Sequence, residues 1–74
     1  MTFDRITVDP NICLGQPTIR GTRITVAVIL RMIASGMSAH EIVRDYPELC
    51  DEDVREAAGY AAWLASEQSR PYPS

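Results

Sequence analysis

Apolar residues after position 25 are spaced as in three amphipathic helices. In the first, predicted over about residues 26–35, the positions i, i+3, i+4 and i+7 are filled by Val26, Ile29, Leu30 and Ile33. The second helix repeats this stripe with Ala39, Ile42, Val43 and Tyr46. The third is predicted from about residue 51 to about residue 68, and its first turn is acidic, which suits the positive end of a helix dipole.

Capping residues mark the ends of these predicted helices. Thr25 can cap the start of the first helix, and Gly36 can stop it. Ser38 and Glu41 have the spacing of a capping box at the start of the second, which Pro47 ends. A short, glycine-containing turn between two helices is the layout of a helix-turn-helix unit.

The first 25 residues favour short β-strands. Ile6 and Val8 alternate with polar residues and would share one face of a strand over residues 5–9. Residues 18–19 and 23–25 are two further β-prone pieces, which residues 20–22 can join in a tight turn. Such short pieces do not form a stable sheet alone, so they must pack on the helices.

These patterns predict a mainly α fold with a three-helix, helix-turn-helix core, preceded by a short N-terminal β-hairpin. Residues 1–74 are expected to form a single domain. Within it, residues 1–25 would supply the short β elements, residues 26–68 the three helices, and residues 69–74 a flexible tail.

The segment from residue 15 to residue 26 stands out because it combines two glycines, a proline and two arginines between β-branched runs. Four of its residues are expected to shape a turn, since they restrict or permit unusual backbone angles or hydrogen-bond locally: Gly15, Pro17, Gly21 and Thr22. Arg20 and Arg23 place permanent, fork-shaped cations beside that turn.

Charge is unevenly distributed along the chain, whose net charge is −3. Residues 1–44 carry five arginines against three carboxylates, a surplus of +2, whereas residues 45–74 carry seven carboxylates against two arginines, a balance of −5. The third helix would be the recognition helix of a simple helix-turn-helix protein, but phosphates would repel its acidic surface. If DNA is bound, the candidate contacts are therefore Arg20, Arg23, Arg31 and Arg44.

The sequence has two cysteines and shows no signal-peptide pattern. We therefore expect a cytoplasmic protein with reduced thiols. Cys13, His40 and Cys50 lack paired ligand spacing, so neither a metal nor another cofactor is expected. No apolar run is long enough to cross a membrane. The sequence also lacks the usual catalytic patterns, including Ser/His/Asp, Cys/His, HExxH and a phosphate-binding loop with lysine, and we expect no enzyme activity.

Two faces are expected on the third helix. A stripe of small residues clusters around Val54 and should face the other helices: Ala57, Ala58, Ala61 and Ala65. Trp63 falls about 180° from Val54 on a helical wheel, with Tyr60 beside it. Two readings stay open for this aromatic pair: packing against the N-terminal strands of the same subunit, or a place in a subunit or partner interface.

One motif set resembles the DUF433 family over most of the chain. It consists of Gly15, Pro17, Ile19 and Gly21-Thr22-Arg23-Ile24, then Gly36-Met37-Ser38 with Glu41-Ile42, then Tyr46-Pro47 with Leu49, and a final helix rich in Ala and Tyr. The resemblance implies a small protein of bacteria or archaea with a helix-turn-helix-like, homeodomain-like core. In that family a Thr or Ser often stands where this chain has Cys50.

The resemblance further implies an antitoxin of a type II toxin–antitoxin module, which binds and inhibits a PIN-like ribonuclease toxin and regulates its own promoter. The alternative is a stand-alone, dimeric helix-turn-helix regulator that binds operator DNA. Residues expected to contact a protein partner are Arg20, Arg23, Tyr60, Trp63 and Arg70. Arg23 has a second reading, in which it pairs with a carboxylate of its own domain. A homodimer is expected under either function, because so short a chain has a small core.

Overall fold

The computed structural model describes residues 3–68, and within them two short strands precede three helices. The strands are β1, Ile6–Thr7, and β2, Thr18–Ile19; the helices are α1, Val26–Ala34, α2, Ala39–Asp45, and α3, Asp51–Gln68. A single 3-10 turn, Cys13–Gly15, lies between the strands. The predicted mainly α fold, with three helices after a short antiparallel hairpin, is confirmed. The predicted tail over residues 69–74 lies outside the described residues.

Local hydrogen bonds explain where α1 and α2 begin. The Thr25 hydroxyl accepts a hydrogen bond from the Val28 N–H at 3.1 Å, which caps α1. At α2, the Ser38 hydroxyl accepts from the Glu41 N–H at 3.2 Å, and the Glu41 carboxylate accepts from the Ser38 N–H at 2.9 Å. This reciprocal pair is a complete capping box.

The turn between α1 and α2 depends on a left-handed glycine. Gly36 has a φ of +98°, a backbone conformation that side chains with a Cβ rarely adopt. The α1 helix ends at Ala34, one residue earlier than predicted, and Ser35 is its C-cap. The predicted glycine stop therefore acts one residue after the helix cap.

The start of α3 is held without a Ser or Thr cap. The Asp53 carboxylate accepts a hydrogen bond from the Cys50 N–H at 3.0 Å, which is one half of a capping box. The Cys50 carbonyl accepts from the Asp53 N–H at 3.0 Å. Asp53 is buried although it is charged, and the bond from the Cys50 N–H helps to satisfy its carboxylate.

The core lies where α3 packs against both α1 and α2. It contains Ile29 and Ile42, which are fully buried, together with Leu49, Val54 and Ala57. The hairpin covers one end of this core through Ile6 and Ile19. Burying these aliphatic side chains is the main force that holds the short strands on the helices, since each contributes about 1.5–3 kcal/mol when fully buried.

The buried face of α3 is rotated from the predicted one. Val54 and Ala57 are buried as expected, but Ala58 and Ala65 are exposed, so their predicted place in a core-facing stripe is wrong. Tyr60 packs against the core instead. Because a tyrosine buries far more apolar area than an alanine, the helix turns its larger side chain inward.

In the hairpin, β1 and β2 pair antiparallel with Ile6 opposite Ile19 and Thr7 opposite Thr18. The predicted strand over residues 5–9 is shorter, because β1 ends at Thr7. Val8 is therefore 58% exposed and does not share the buried face of Ile6, which corrects that expectation. The predicted piece over residues 23–25 is reduced to a single bridge between Thr18 and Thr25.

The capping box of α2 makes stability depend on acid. Hydrogen bonds from the Ser38 backbone N–H and then the Ser38 side chain lower the pKa of Glu41 below its ordinary value of 4.5. A lowered carboxylate pKa adds stability above the unfolded-state pKa, and this stability is lost as the pH falls through the folded-state pKa.

We predict that Glu41→Gln reduces the loss of unfolding free energy between about pH 7 and about pH 3, because glutamine keeps the acceptor oxygen but does not titrate. Urea unfolding followed by circular dichroism at both pH values measures this difference. Parallel acid dependence in the two proteins would contradict the role assigned to Glu41.

Candidate functional site

The turn between β2 and α1 is fixed by one hydroxyl group. The Thr22 hydroxyl donates a hydrogen bond to the Ile19 carbonyl at 2.8 Å and accepts one from the Ile24 N–H at 3.0 Å. Gly21 has a φ of +80°, and a Cβ at this position would meet no atom within 4 Å. Gly21 is thus required by backbone conformation alone, and the turn is ordered by local bonds.

Arg20 and Arg23 flank Gly21, and both are exposed. Within the described part of the chain, neither guanidinium group forms an ion pair or a hydrogen bond. The second reading of Arg23, a pair with a carboxylate of its own domain, therefore finds no such partner among residues 3–66. We call this exposed pair on the Thr22-fixed turn the arginine turn.

A second unusual turn lies beside the arginine turn. Cys13, Leu14 and Gly15 have φ values of 51°, 58° and 80°, so three consecutive residues are left-handed. The Cys13 thiol lies 3.4 Å from the Arg23 carbonyl, which joins the two turns. For a residue with a Cβ this conformation costs about 1–2 kcal/mol. Leu14 is nonetheless held there, and its side chain is 95% exposed.

Pro17 connects this second turn to α1. Its carbonyl accepts a hydrogen bond from the Val26 N–H at 2.9 Å, at the first residue of α1. Gly15 closes the preceding 3-10 turn by donating its N–H to the Ile12 carbonyl at 3.0 Å. A Cβ on Gly15 would lie 3.7 Å from Cα of Pro10, an ordinary contact, so its positive φ is what favours glycine.

Arg5 anchors the hairpin to the acidic start of α3. Its guanidinium group donates to the Glu52 carboxylate at 2.7 Å and to the Asp53 carboxylate at 3.1 Å, and its backbone N–H donates to the Glu56 carboxylate at 2.7 Å. The Arg5 carbonyl accepts from the Arg20 N–H at 2.7 Å. One residue thus links β1, the first turns of α3 and the start of the arginine turn.

Sequence reasoning missed this role of Arg5. The sequence did contain a signal for it. Three consecutive acidic residues form the first turn of α3, and such a cluster favours a counter-charge from another element. The hydrogen bond to the Asp53 carboxylate is the main reason that the pKa of Arg5 is raised. Leu14 was also missed, although a leucine next to Gly15 in a turn segment is a visible signal.

The basic surplus of the first half is smaller in the folded protein than in the sequence. Arg5 forms ion pairs with two carboxylates of α3, and Arg44 lies 3.3 Å from the Asp45 carboxylate. Arg31 is exposed in the last turn of α1, and within the described residues it forms no ion pair. Of the four arginines considered for DNA contact, Arg20, Arg23 and Arg31 are therefore unpaired within that part of the chain.

The aromatic pair of α3 packs on the N-terminal segment. Phe3 meets Tyr60 edge to face, with ring centroids 5.3 Å apart, and it lies 6.0 Å from the Trp63 ring. The intramolecular reading thus describes Tyr60, which joins the core. Trp63 contacts the same ring but remains 39% exposed. Arg70, the fifth residue expected to contact a partner, lies outside the described residues.

Among the described residues, no group of three or more His, Cys, Asp or Glu side chains could hold a metal ion. The helices of this part of the chain are also too short or too polar to cross a membrane. Among the described residues, the site presents two unpaired guanidinium groups on an ordered turn, near one exposed leucine.

Comparison with known proteins identifies relatives over most of the chain. The family described as "Protein of unknown function (DUF433)" matches residues 6–61. The crystal structure of a DUF433 member protein from Anabaena variabilis is similar, with a TM-score of 0.77 and 32% identity, over 85% of this chain and 62% of that one. An uncharacterized protein of Sinorhizobium fredii, y4eO, is 36% identical over 56 residues, which are 76% of this chain but only 25% of the relative.

Thr18 in β2 and Thr22 in the arginine turn provide a matched test of the hydrogen bonds in that turn. Thr18 is fully buried, and its hydroxyl has no partner within the described residues, whereas the Thr22 hydroxyl has two. We predict that Thr18→Val raises the free energy of unfolding by about 1 kcal/mol and that Thr22→Val lowers it by about 1–2 kcal/mol. Urea unfolding of both variants measures these changes, and equal effects of the two substitutions would contradict the assignment.

We predict that Arg5→Met lowers the thermal midpoint at low salt, because it removes the ion pairs with α3 while keeping an apolar stem. The difference from the unmodified protein should shrink in about 1 M NaCl, where the Debye length is about 3 Å. Differential scanning calorimetry at both salt concentrations checks this. Arg31→Met is the control and should change the midpoint little at either concentration; an Arg5→Met effect that does not depend on salt would exclude an electrostatic anchor.

Proposed function

We propose that this chain, which belongs to the DUF433 family, is the antitoxin of a type II toxin–antitoxin module in the cytoplasm, and that it inhibits a PIN-like ribonuclease by contact through the arginine turn. The observation that carries the proposal is the pair Arg20 and Arg23, exposed on an ordered turn and without a counter-ion among the described residues.

The chemistry of the proposed target fits these two residues. A PIN-like nuclease site is a cluster of carboxylates that holds Mg²⁺ or Mn²⁺. A guanidinium group can form two parallel, charge-assisted hydrogen bonds with a carboxylate, and it can thereby occupy the place of the cation. Arginines on either side of one glycine could reach neighbouring carboxylates of such a cluster.

The backbone of the arginine turn is already ordered in the free protein, which favours binding. The Thr22 hydroxyl bonds and the Arg20–Arg5 backbone bond hold the backbone of the turn before any partner arrives. Beyond the translational and rotational entropy that every association loses, binding then costs the side-chain entropy of two arginines, about 0.5–1.5 kcal/mol each, and not the ordering of a loop.

A second candidate function, DNA binding as a dimeric regulator or as promoter autoregulation, is favoured by the three-helix layout with its short turns. The first turn of α3 carries Asp51, Glu52 and Asp53, which disfavours insertion of this helix into a major groove even with Arg5 alongside. Phosphate contact would then depend on Arg20, Arg23 and Arg31. This candidate requires that affinity for promoter DNA falls steeply with salt.

The experiment begins with the gene adjacent to the one that encodes this chain. We expect that gene to encode an acidic, nuclease-like protein. Co-expression of the two proteins should restore growth that the nuclease alone prevents. We predict that the Arg20→Ala, Arg23→Ala double variant loses this protection and binds the purified nuclease at least about 10²-fold more weakly, as expected when interface hot spots are removed.

Arg31→Ala is the matched control, since it removes another exposed arginine from a different element. It should protect as well as the unmodified chain and bind the nuclease with the same dissociation constant by isothermal titration calorimetry. Full protection by the double variant would refute the role of the arginine turn. Equal losses in the double variant and in Arg31→Ala would instead indicate a nonspecific charge effect and would equally count against it.

A further inference from the structure

The second half of α3 is uncharged but only partly covered. Residues 59–66 contain no charged side chain. Tyr60 packs on the core, whereas Ala62, Trp63 and Ala65 are exposed. A helix surface without charge that consists mostly of apolar side chains is normally covered by protein. Among residues 3–66, these three exposed residues lack such a cover.

An open groove of about 360 Å³ runs between α1 and this half of α3. One wall includes Pro17, Ala27 and Leu30, and the other includes Ala61, Leu64 and Ala65. None of the groove's lining residues is charged. Its small alanine side chains leave room for another apolar side chain to approach the helix backbone closely.

An exposed apolar side chain stands two residues before the lining of this groove. Leu14 is 95% exposed on its left-handed turn and is followed directly by Gly15, Gln16 and Pro17, the last two of which line the groove. The chain thus carries an apolar knob next to an apolar hole. In a two-fold symmetric pair, such neighbours can each meet their counterpart on the other copy, because the same patch is used twice.

We propose that the groove is the interface of a homodimer in which Leu14 of each copy enters the groove of the other. Charge favours a second copy as the occupant. Two acidic chains that met through the first half of α3 would bring Asp51, Glu52 and Glu56 together, whereas the groove and residues 59–66 are free of charge. A partner recognised through its charge would find none in this groove to pair with.

This assignment also explains why a leucine is kept in a left-handed conformation that is unfavourable for a residue with a Cβ. Burial of the Leu14 side chain in the dimer offsets this cost. The proposal does not depend on the antitoxin function, which uses the exposed cations of the arginine turn.

Sedimentation equilibrium of the full chain tests the interface. The mass should be twice 8.2 kDa at about 10–100 µM. Ala65→Glu places a charge in the groove on an exposed helix position, and Leu14→Asn removes the apolar knob while suiting the left-handed backbone. Each should weaken dimerisation at least about 10-fold with an unchanged circular dichroism spectrum.

His40→Glu is the control, because it makes a comparable charge change at an exposed position of α2 outside the groove. It should leave the dimer intact. A single-chain mass for the unmodified protein up to about 100 µM would overturn the proposal. So would dimers of unchanged strength in both Ala65→Glu and Leu14→Asn, or equal weakening by His40→Glu.

Discussion

The bonds of Arg5 are the interaction on which the rest of the site depends. Two strands of two residues each have almost no stability of their own. They stay ordered because they pack on the helices and bond to them. Apolar burial of Ile6 and Ile19 supplies most of the free energy, but it does not fix direction. Arg5 adds direction by bonding to α3 through its side chain and backbone N–H, and to Arg20 through its carbonyl.

This anchor also changes the charge pattern that the protein presents. It places a cation among the carboxylates at the start of α3 and so offsets part of the repulsion among them. The cations left unpaired within the described residues then include Arg20 and Arg23. Arg5 is therefore held by carboxylates of α3, whereas Arg20 and Arg23 have no such pairs within the described residues.

Much of the fold could be predicted from the sequence, because its signals are local. The apolar period of the helices, the capping box of Ser38 and Glu41 and the glycine after α1 each act within a few residues. The rotation of α3 could not be predicted in this way, since it is decided by whether Tyr60 or the alanines meet the other elements. Periodicity alone gives the width of a helix face but not the best-packed side chain at its edge.

The candidate site was predictable in part for the same reason. Gly21 and Thr22 form a local turn, so their residue types indicated it. The partners of Arg5 lie about 50 residues away in sequence, and no local pattern encodes such a contact. Leu14 was overlooked because its left-handed backbone contradicts the usual preference of leucine.

Amide hydrogen exchange tests the claim that the side-chain bonds of Arg5 to α3 hold the arginine turn in place. In Arg5→Met, which keeps the backbone bonds of this position, we predict that protection of the Arg20 N–H falls at least about 10-fold, while the N–H groups of Ile29 and Ile42 in the helical core change by less than about two-fold. Unchanged protection of the Arg20 N–H in that variant, or an equal loss throughout the helices, would contradict the claim.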